Sequence, residues 1–304
     1  AYHNFKMKGE PVTIFNSALR VGASPEAPHI YHVGEYYHLI IAEGGTEHYH
    51  AVMSARSRDI FGFFEANPAN PVMTHRNMGF KSPIINVGHA DLVELPDGSW
   101  YAVMLASRLI DGKCKNLGRE TFLCPVVWER DWPLFSPDTG KLEWEYEAPK
   151  CLPQMEYPVK KTFFDFKEQV LEEEWLCWGT PYEKYYEIKD SRLYLQCKRQ
   201  RLDEPLRQMG FDCPKSKDCF VSMLGQRQCQ PYTVITSKMV FMPQEGEAAG
   251  LAVIQAMNHQ MHFCRTCTGE RQFLQLTVTS AEYDSPPYFP GFASTNRSTV
   301  LAET

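Results

Sequence analysis

Short runs of aromatic and β-branched residues recur along the chain, with glycine, proline and polar residues between them. Such runs favour strands, because side chains of this shape pack well on a pleated surface. The clearest runs are "PHIYHV", "YYHLIIA", "ADLVEL", "WYAVMLA", "RLYLQC", "YTVITSKMVF", "GLAVIQA" and "QFLQLTVTS". One segment, "FKEQVLEEEWLCW" at 166–178, fits either a short helix or an acidic loop with buried tryptophans. The pattern predicts an all-β chain.

Prolines are concentrated at residues 133–162, where no comparable strand pattern is present. Such a stretch is typical of a linker that runs over a surface. We therefore place a domain boundary near residue 155, with a first domain at 1–155 and a second at 156–304.

A weak internal repeat lies in the first domain. "EAPHIYHV-GEYYHLIIAEG" from Glu26 aligns with "HADLVELPDGSWYAVMLASR" from His89 when the turn takes one inserted residue. Repeated groups of antiparallel strands are typical of β-propeller blades, because one blade alone cannot bury both of its faces. Glu26 and His89 are equivalent positions in the alignment, so a propeller would bring them together at the mouth of the central channel. The alternative is that Glu26 is a solvated turn residue between Pro25 and Pro28.

Charge and hydropathy limit the classes of partner. The net charge is −6 and no run of Lys or Arg stands out, so the chain lacks the basic excess that a phosphate backbone requires. No apolar stretch approaches the ~18 residues that a membrane-spanning helix needs. We expect a soluble globular protein that binds neither nucleic acid nor membrane, and its compartment stays open.

Several long strings carry a resemblance to a known family. "EAPHIYHVGEYYHLIIAEGGTEHYHAVMSARSRDIFGFFE", "GHADLVELPDGSWYAVMLASR" and "NLGRETFLCPVVWERDWPLF" resemble the latter part of the five-bladed β-propeller of glycoside hydrolase family 43, in its β-xylosidase and α-L-arabinofuranosidase branch. Downstream, "FFDFKEQVLEEEWLCWGTP", "VSMLGQRQ" and "EGEAAGLAVIQ" resemble the C-terminal β-sandwich of that branch. The resemblance implies a partial propeller at 1–155 and a sandwich, short of its last strands, at 156–304.

The resemblance implies roles for two residues at the channel mouth. Glu26 matches the family's general acid, and Ala27 stands where a glycine is usual. A carboxyl group that works as an acid must stay protonated near neutral pH, which partial desolvation favours. His89 matches an axial histidine beneath the sugar, which in some members helps to order a water-ligated calcium. We expect no required cofactor, with calcium near His89 as a possibility.

Further residues are implied as substrate-binding groups. Arg119 matches an arginine that contacts the terminal sugar and the catalytic acids, since a planar guanidinium can hold a hydroxyl and a carboxylate together. The alternative for Arg119 is a salt bridge to Glu120 or Glu129. Weaker candidates for lining the pocket are Arg108, His50 and Glu43.

One catalytic group has no counterpart in the matched strings. Inversion needs an acid and a base about 6.5 to 9.5 Å apart, and the family's base aspartate precedes the region matched here. Asp59, Asp91 and Asp97 lie outside the matching motifs. We expect a companion segment or a separate chain to supply the first blades and the base.

The function implied is inverting removal of terminal xylose or arabinose from xylo-oligosaccharides or arabinoxylan. The alternative is a catalytically incomplete carbohydrate-binding protein with the same propeller and sandwich. A weaker third hypothesis, a propeller that binds other proteins, gives no reason for Glu26, His89 and Arg119 to occur together.

Overall fold

The chain divides into two compact units, Ala1–Tyr157 and Pro158–Thr304. The computed structural model describes residues 9–16, 23–157, 159–181, 183–202, 221–256, 259–282 and 295–304. None of these residues lies in a helix that is long and apolar enough to cross a membrane. One short 3₁₀ helix, Arg76–Met78, is the helical element among them, so the predicted all-β class is confirmed.

The described part of the first unit consists of two four-stranded antiparallel sheets, each with its strands in chain order. The first sheet contains β1 (Glu26–Val33), β2 (Tyr36–Glu43), β3 (Ala51–Ser57) and β4 (Glu65–Ala66). The second contains β5 (Ile84–Glu94), β6 (Trp100–Arg108), β7 (Glu120–Glu129) and β8 (Trp132–Phe135). Strand β5 packs against β1, β2 and β3. Two up-and-down sheets joined in this way are two consecutive propeller blades.

The apolar faces of the two blades share one core. Ile40 and Val52 of the first blade form a buried cluster with Val87, Leu92 and other residues of the second. A smaller cluster on the other face of the first blade contains Phe64 and is covered in part by the amino-terminal residues Ile14 and Phe15. Burial on both faces explains why β2 and β3 are continuous apolar runs and do not alternate.

The second unit is also built from antiparallel strands. Its largest described sheet has four strands in chain order. The strands of this unit are β9 (Leu176–Cys177), β10 (Tyr186–Lys189), β11 (Arg192–Leu195), β12 (Leu224–Gly225), β13 (Ala248–Ala256), β14 (His259–Thr268), β15 (Arg271–Glu282) and β16 (Thr295–Glu303). Strands β9 and β12 pair with each other, as do β10 and β11.

The structure of two segments in the second unit can be compared with the sequence predictions. Residues 166–178 form bends and the short strand β9, and the rings of Phe164 and Phe166 lie 5.1 and 6.0 Å from that of Trp175. The loop alternative is therefore the right one, although Trp175 and Trp178 are half-buried and not buried. The strand predicted at 232–241 is wrong: these residues pair with no described strand, and Val234 and Val240 are exposed. A high β-propensity does not form a strand without a partner edge.

Candidate active site

Glu26 is the first residue of β1, at a bulge. The register pairs Glu26 with Ala42 and resumes with His29 opposite Ile40, so the backbone between them leaves the regular ladder. Ala27 has a φ of 47°, a left-handed conformation that glycine adopts freely and other residues only at an energetic cost. This is the position at which the resemblance expects glycine. The bulge lets the Glu26 side chain, which is 59% exposed, reach across to β5.

His89 meets Glu26 from the neighbouring blade. Strand β5 is irregular on both sides of Gly88, and Asn86 and His89 both have positive φ, 59° and 58°. Consecutive bulges of this kind bend a strand and redirect its side chains, and they are common beside active sites. The His89 Nδ1 atom lies 4.0 Å from the Glu26 carboxylate. The structure thus brings together the two residues that the internal repeat predicts as neighbours.

The His50 ring lies beside that of His89. His50, the residue before β3, is 2% exposed, and its Nδ1 lies 2.9 Å from the carbonyl oxygen of Asn86. A carbonyl only accepts, so Nδ1 carries the hydrogen and donates it. The ring packs on Gly88 so closely that a Cβ there would lie 2.6 Å from it. The ring centroids of His50 and His89 are 6.4 Å apart. His50 therefore supports the bulge that aims His89.

Burial and the neighbouring groups of the site together set the pKa of His50. Burial lowers the pKa of the His50 imidazole, and the neighbouring His89 and Arg119 side chains lower it further. The hydrogen bond to Asn86 and the negative charge of Glu26 act in the opposite direction. Burial prevails, so His50 is held neutral. The same balance shows that the Arg119 guanidinium lies within electrostatic range of the site.

Arg119 and Arg108 have different partners. Arg119 donates from Nη1 to the hydroxyl of Thr46, at 3.1 Å, in the loop between β2 and β3. Arg108 forms a two-pronged ion pair with Glu120, with distances of 2.6 and 2.8 Å. Glu120, one of the two acids considered as a partner for Arg119, is thus engaged by Arg108. The fork of Arg108 is directed at this carboxylate, and its role in binding substrate stays a prediction.

The loop between β2 and β3 contains a residue that the sequence analysis missed. The Glu47 carboxylate accepts hydrogen bonds from Lys115, in the loop between β6 and β7, and from Asn86 at 3.4 Å. These bonds join the loops of both blades beside the site. "GTEHYH" is conspicuously polar, but nothing in the sequence identifies Lys115 as the partner of Glu47. Glu43, at the end of β2, is fully buried.

Asp91 belongs to a different cluster on the same two strands. The Tyr31 hydroxyl donates to the Asp91 carboxylate and accepts from the backbone nitrogen of Leu92 at 2.8 Å. His29 Nδ1 lies 3.7 Å from the same carboxylate. Burial and the bond to Asp91 raise the pKa of Tyr31. Asp91 therefore holds β1 to β5.

The described residues around His89 do not by themselves supply a set of calcium ligands. Calcium takes six to eight oxygen ligands, whereas His89 offers a nitrogen and has one carboxylate near it. Among the described residues no group of three or more His, Cys, Asp or Glu could hold a metal ion. A water-ligated ion near His89 stays a prediction, and no step of the chemistry is assigned to it.

Comparison with known proteins defines the class. Residues 3–133 match the family model of glycosyl hydrolases family 43, and residues 164–288 match that of the beta xylosidase C-terminal Concanavalin A-like domain. The chain is therefore a member of glycoside hydrolase family 43 that carries the C-terminal sandwich domain. The resemblance inferred from the sequence is confirmed.

Individual relatives agree with this assignment. A xylosidase/arabinosidase of Butyrivibrio fibrisolvens is 37% identical over 90% of this chain and 50% of its own length. The non-reducing end alpha-L-arabinofuranosidase BoGH43B of Bacteroides ovatus is 37% identical over 76% of this chain and 42% of its own length. The crystal structure of the GH43 protein BlXynB of Bacillus licheniformis superimposes with a TM-score of 0.75 at 26% identity, covering 97% of this chain and 52% of that one. The chain thus spans about half the length of the relatives it matches.

Proposed function

We propose that the protein containing this chain is an inverting glycoside hydrolase that removes terminal xylose or arabinose from xylo-oligosaccharides or arabinoxylan. The observation that carries the proposal is the meeting of Glu26 and His89, 4.0 Å apart on neighbouring blades, in a chain of family 43. The xylosidase and arabinofuranosidase names of the relatives support the class of substrate.

In this proposal Glu26 is the general acid. Its proton passes to the glycosidic oxygen as the bond between that oxygen and the anomeric carbon breaks, so the leaving sugar departs as a neutral alcohol. A water molecule attacks the anomeric carbon from the opposite face and gives its proton to a base. Glu26 is 59% exposed in this chain, so the desolvation that keeps an acid protonated comes from the bound sugar and from the remaining blades.

In this proposal Arg119 and His89 position the sugar, with support from two further side chains. Arg119 is fixed at one nitrogen by Thr46, which leaves the other edges of the fork for a sugar hydroxyl and a carboxylate. His89 lies beside the acid and contacts the sugar from below, and the neutral ring of His50 supports it. Arg108 is a more distant contributor because Glu120 occupies its fork.

The base is assigned to a companion segment outside these residues. The chain covers about half of each relative, and Asp91 is already engaged by Tyr31. An inverting site needs its second carboxylate about 6.5 to 9.5 Å from the acid, with room for one water between them. A test is direct: appreciable turnover of an aryl xyloside by the 304-residue chain alone would refute this assignment.

The stereochemistry of the first product tests the proposed function. Hydrolysis of a β-xyloside by the whole protein, followed by proton NMR before mutarotation, is expected to show α-xylose first. First formation of the β-anomer would contradict inversion. Binding of xylotriose without any hydrolysis would favour the alternative, a catalytically incomplete carbohydrate-binding protein.

A further inference from the structure

Three aromatic side chains, two exposed and one half-buried, form a group next to the candidate site. The His48 ring stacks on that of Phe80 at 4.2 Å, with 25° between the planes, and lies 5.2 Å from the ring of Tyr49. Phe80 is 76% exposed and Tyr49 is 66% exposed. We call His48, Tyr49 and Phe80 the aromatic platform.

Strand direction places the platform at the same end of the blades as the site. Strand β2 ends, and β3 begins, at the loop that carries His48 and Tyr49, and Phe80 comes shortly before β5. The next residue after Tyr49 is His50, whose ring packs on Gly88. Two residues span at most about 7 Å of backbone, so the His48 backbone lies within about one sugar ring's length of the His50 backbone.

The loop that carries His48 and Tyr49 is held in place, and Phe80 stacks on it through His48. Gly44 has a φ of 87°, and a Cβ there would lie 2.0 Å from the carbonyl oxygen of Tyr49, so the loop closes tightly on itself. Thr74 donates its hydroxyl hydrogen to the His50 carbonyl oxygen at 2.7 Å. Glu47 is bound by Lys115. A prearranged surface of this kind loses little conformational entropy when it binds a ligand.

The chemistry of the platform fits a sugar ring. The faces of aromatic rings are electronegative, and the C–H groups on one side of a pyranose are electropositive and apolar. The hydroxyl groups at the edge of such a ring need polar partners, which Glu47, Lys115 and Asn86 supply next to His48. Exposed apolar rings beside charged groups, at the mouth of a site, are the arrangement that binds amphipathic ligands.

We propose that the aromatic platform binds the sugar ring on the leaving-group side of the scissile bond, with Phe80 as its main stacking surface. The inference rests on the proposed function and deepens it, because it assigns a preference for oligosaccharides over substrates with a small leaving group. The expected contribution of Phe80 is about tenfold in kcat/KM, equivalent to about 1.4 kcal/mol.

The test compares Phe80→Ala with the unsubstituted whole protein on xylotriose and on β-xylosyl fluoride, whose leaving group has no ring. The ratio of kcat/KM for xylotriose to kcat/KM for the fluoride is expected to fall about tenfold, and Phe80→Tyr is expected to restore it. Phe63→Ala is the matched control, because Phe63 is 82% exposed but lies between β3 and β4, at the opposite end of the first blade. An unchanged ratio in Phe80→Ala would overturn the inference.

Calorimetric binding of xylotriose separates the inference from the proposed function. If the protein hydrolyses neither substrate, the proposed function fails, and weaker xylotriose binding by Phe80→Ala than by Phe63→Ala would still support the platform. If the protein hydrolyses xylotriose, both variants are titrated in a Glu26→Gln background, and equal affinities of the two would overturn the platform.

Discussion

The close packing of His50 on Gly88 gives a prediction with a magnitude. A Cβ added at Gly88 would lie 2.6 Å from Cγ and Cδ2 of His50 and 2.7 Å from its Nε2, whereas non-bonded carbons rest about 3.5 to 4.0 Å apart. Gly88→Ala therefore pushes the ring away by about 1 Å. The ring is 2% exposed and its bond to the Asn86 carbonyl is 2.9 Å long, so the movement strains buried packing and weakens that bond.

The expected destabilisation is the sum of two effects. Overpacking a buried site costs about 1 to 3 kcal/mol, and weakening one hydrogen bond removes about 1 kcal/mol at most. We expect the free energy of unfolding of Gly88→Ala to fall by about 1 to 4 kcal/mol, measured by urea unfolding followed by tryptophan fluorescence. Activity falls as well, because the bulge that aims His89 shifts.

A double-mutant cycle tests the physical cause. In a His50→Ala background the added methyl group enters the space that the ring has left, so Gly88→Ala is expected to cost less than about 0.5 kcal/mol there. An equal cost in both backgrounds would refute the packing argument. So would a single Gly88→Ala variant that unfolds at the same urea concentration as the parent.

Three further predictions concern the backbone of β1, a buried histidine and the guanidinium. Ala27→Gly is expected to stabilise the fold by up to about 1 kcal/mol in thermal unfolding, because glycine relieves the left-handed strain; clear destabilisation would contradict this. Burial lowers the pKa of His75, whose Nε2 accepts from the Leu142 nitrogen at 2.9 Å. At this position the unfolded chain binds more protons just below pH 6.5, so the stabilising contribution of His75 falls as the pH falls, by at most about 1.4 kcal/mol per pH unit. His75→Gln is expected to flatten this slope in urea titrations from pH 7 to pH 5, and an unchanged slope would count against His75. Arg119→Lys removes the planar guanidinium that Thr46 orients. We expect KM for xylotriose to rise about tenfold, because a loss of about 1.4 kcal/mol of binding free energy corresponds to a factor of ten. An unchanged KM would exclude Arg119 from the sugar site.

Much of the first unit could be predicted from local pattern. Strands β1, β2 and β6 begin within two residues of the runs that predict them, because turns with Gly34 and Asp97 separate alternating or apolar segments. The all-β class and the family follow from such runs and strings. The proximity of Glu26 and His89 follows from the repeat, since equivalent strands of neighbouring blades lie side by side.

The details that shape the site could not be predicted in the same way. The positive φ values of Asn86 and His89 accompany two bulges in β5, on which His50 packs from the loop before β3. The pairing of Glu47 with Lys115 joins residues far apart in sequence. The error at 232–241 has the same origin, because strand formation depends on a partner edge that local propensity does not specify.

The most direct test of the account is the dependence of Glu26→Gln on the leaving group. A residue that protonates the leaving oxygen matters for a sugar alcohol and hardly at all for 2,4-dinitrophenolate, which departs without a proton. In the whole protein we expect kcat/KM for xylobiose to fall about 10²- to 10⁴-fold and kcat/KM for the dinitrophenyl xyloside to fall less than about tenfold. The control Glu94→Gln, at the far end of β5, is expected to change neither. Equal losses on both substrates, or no loss on either, would contradict the assignment of Glu26 as the general acid.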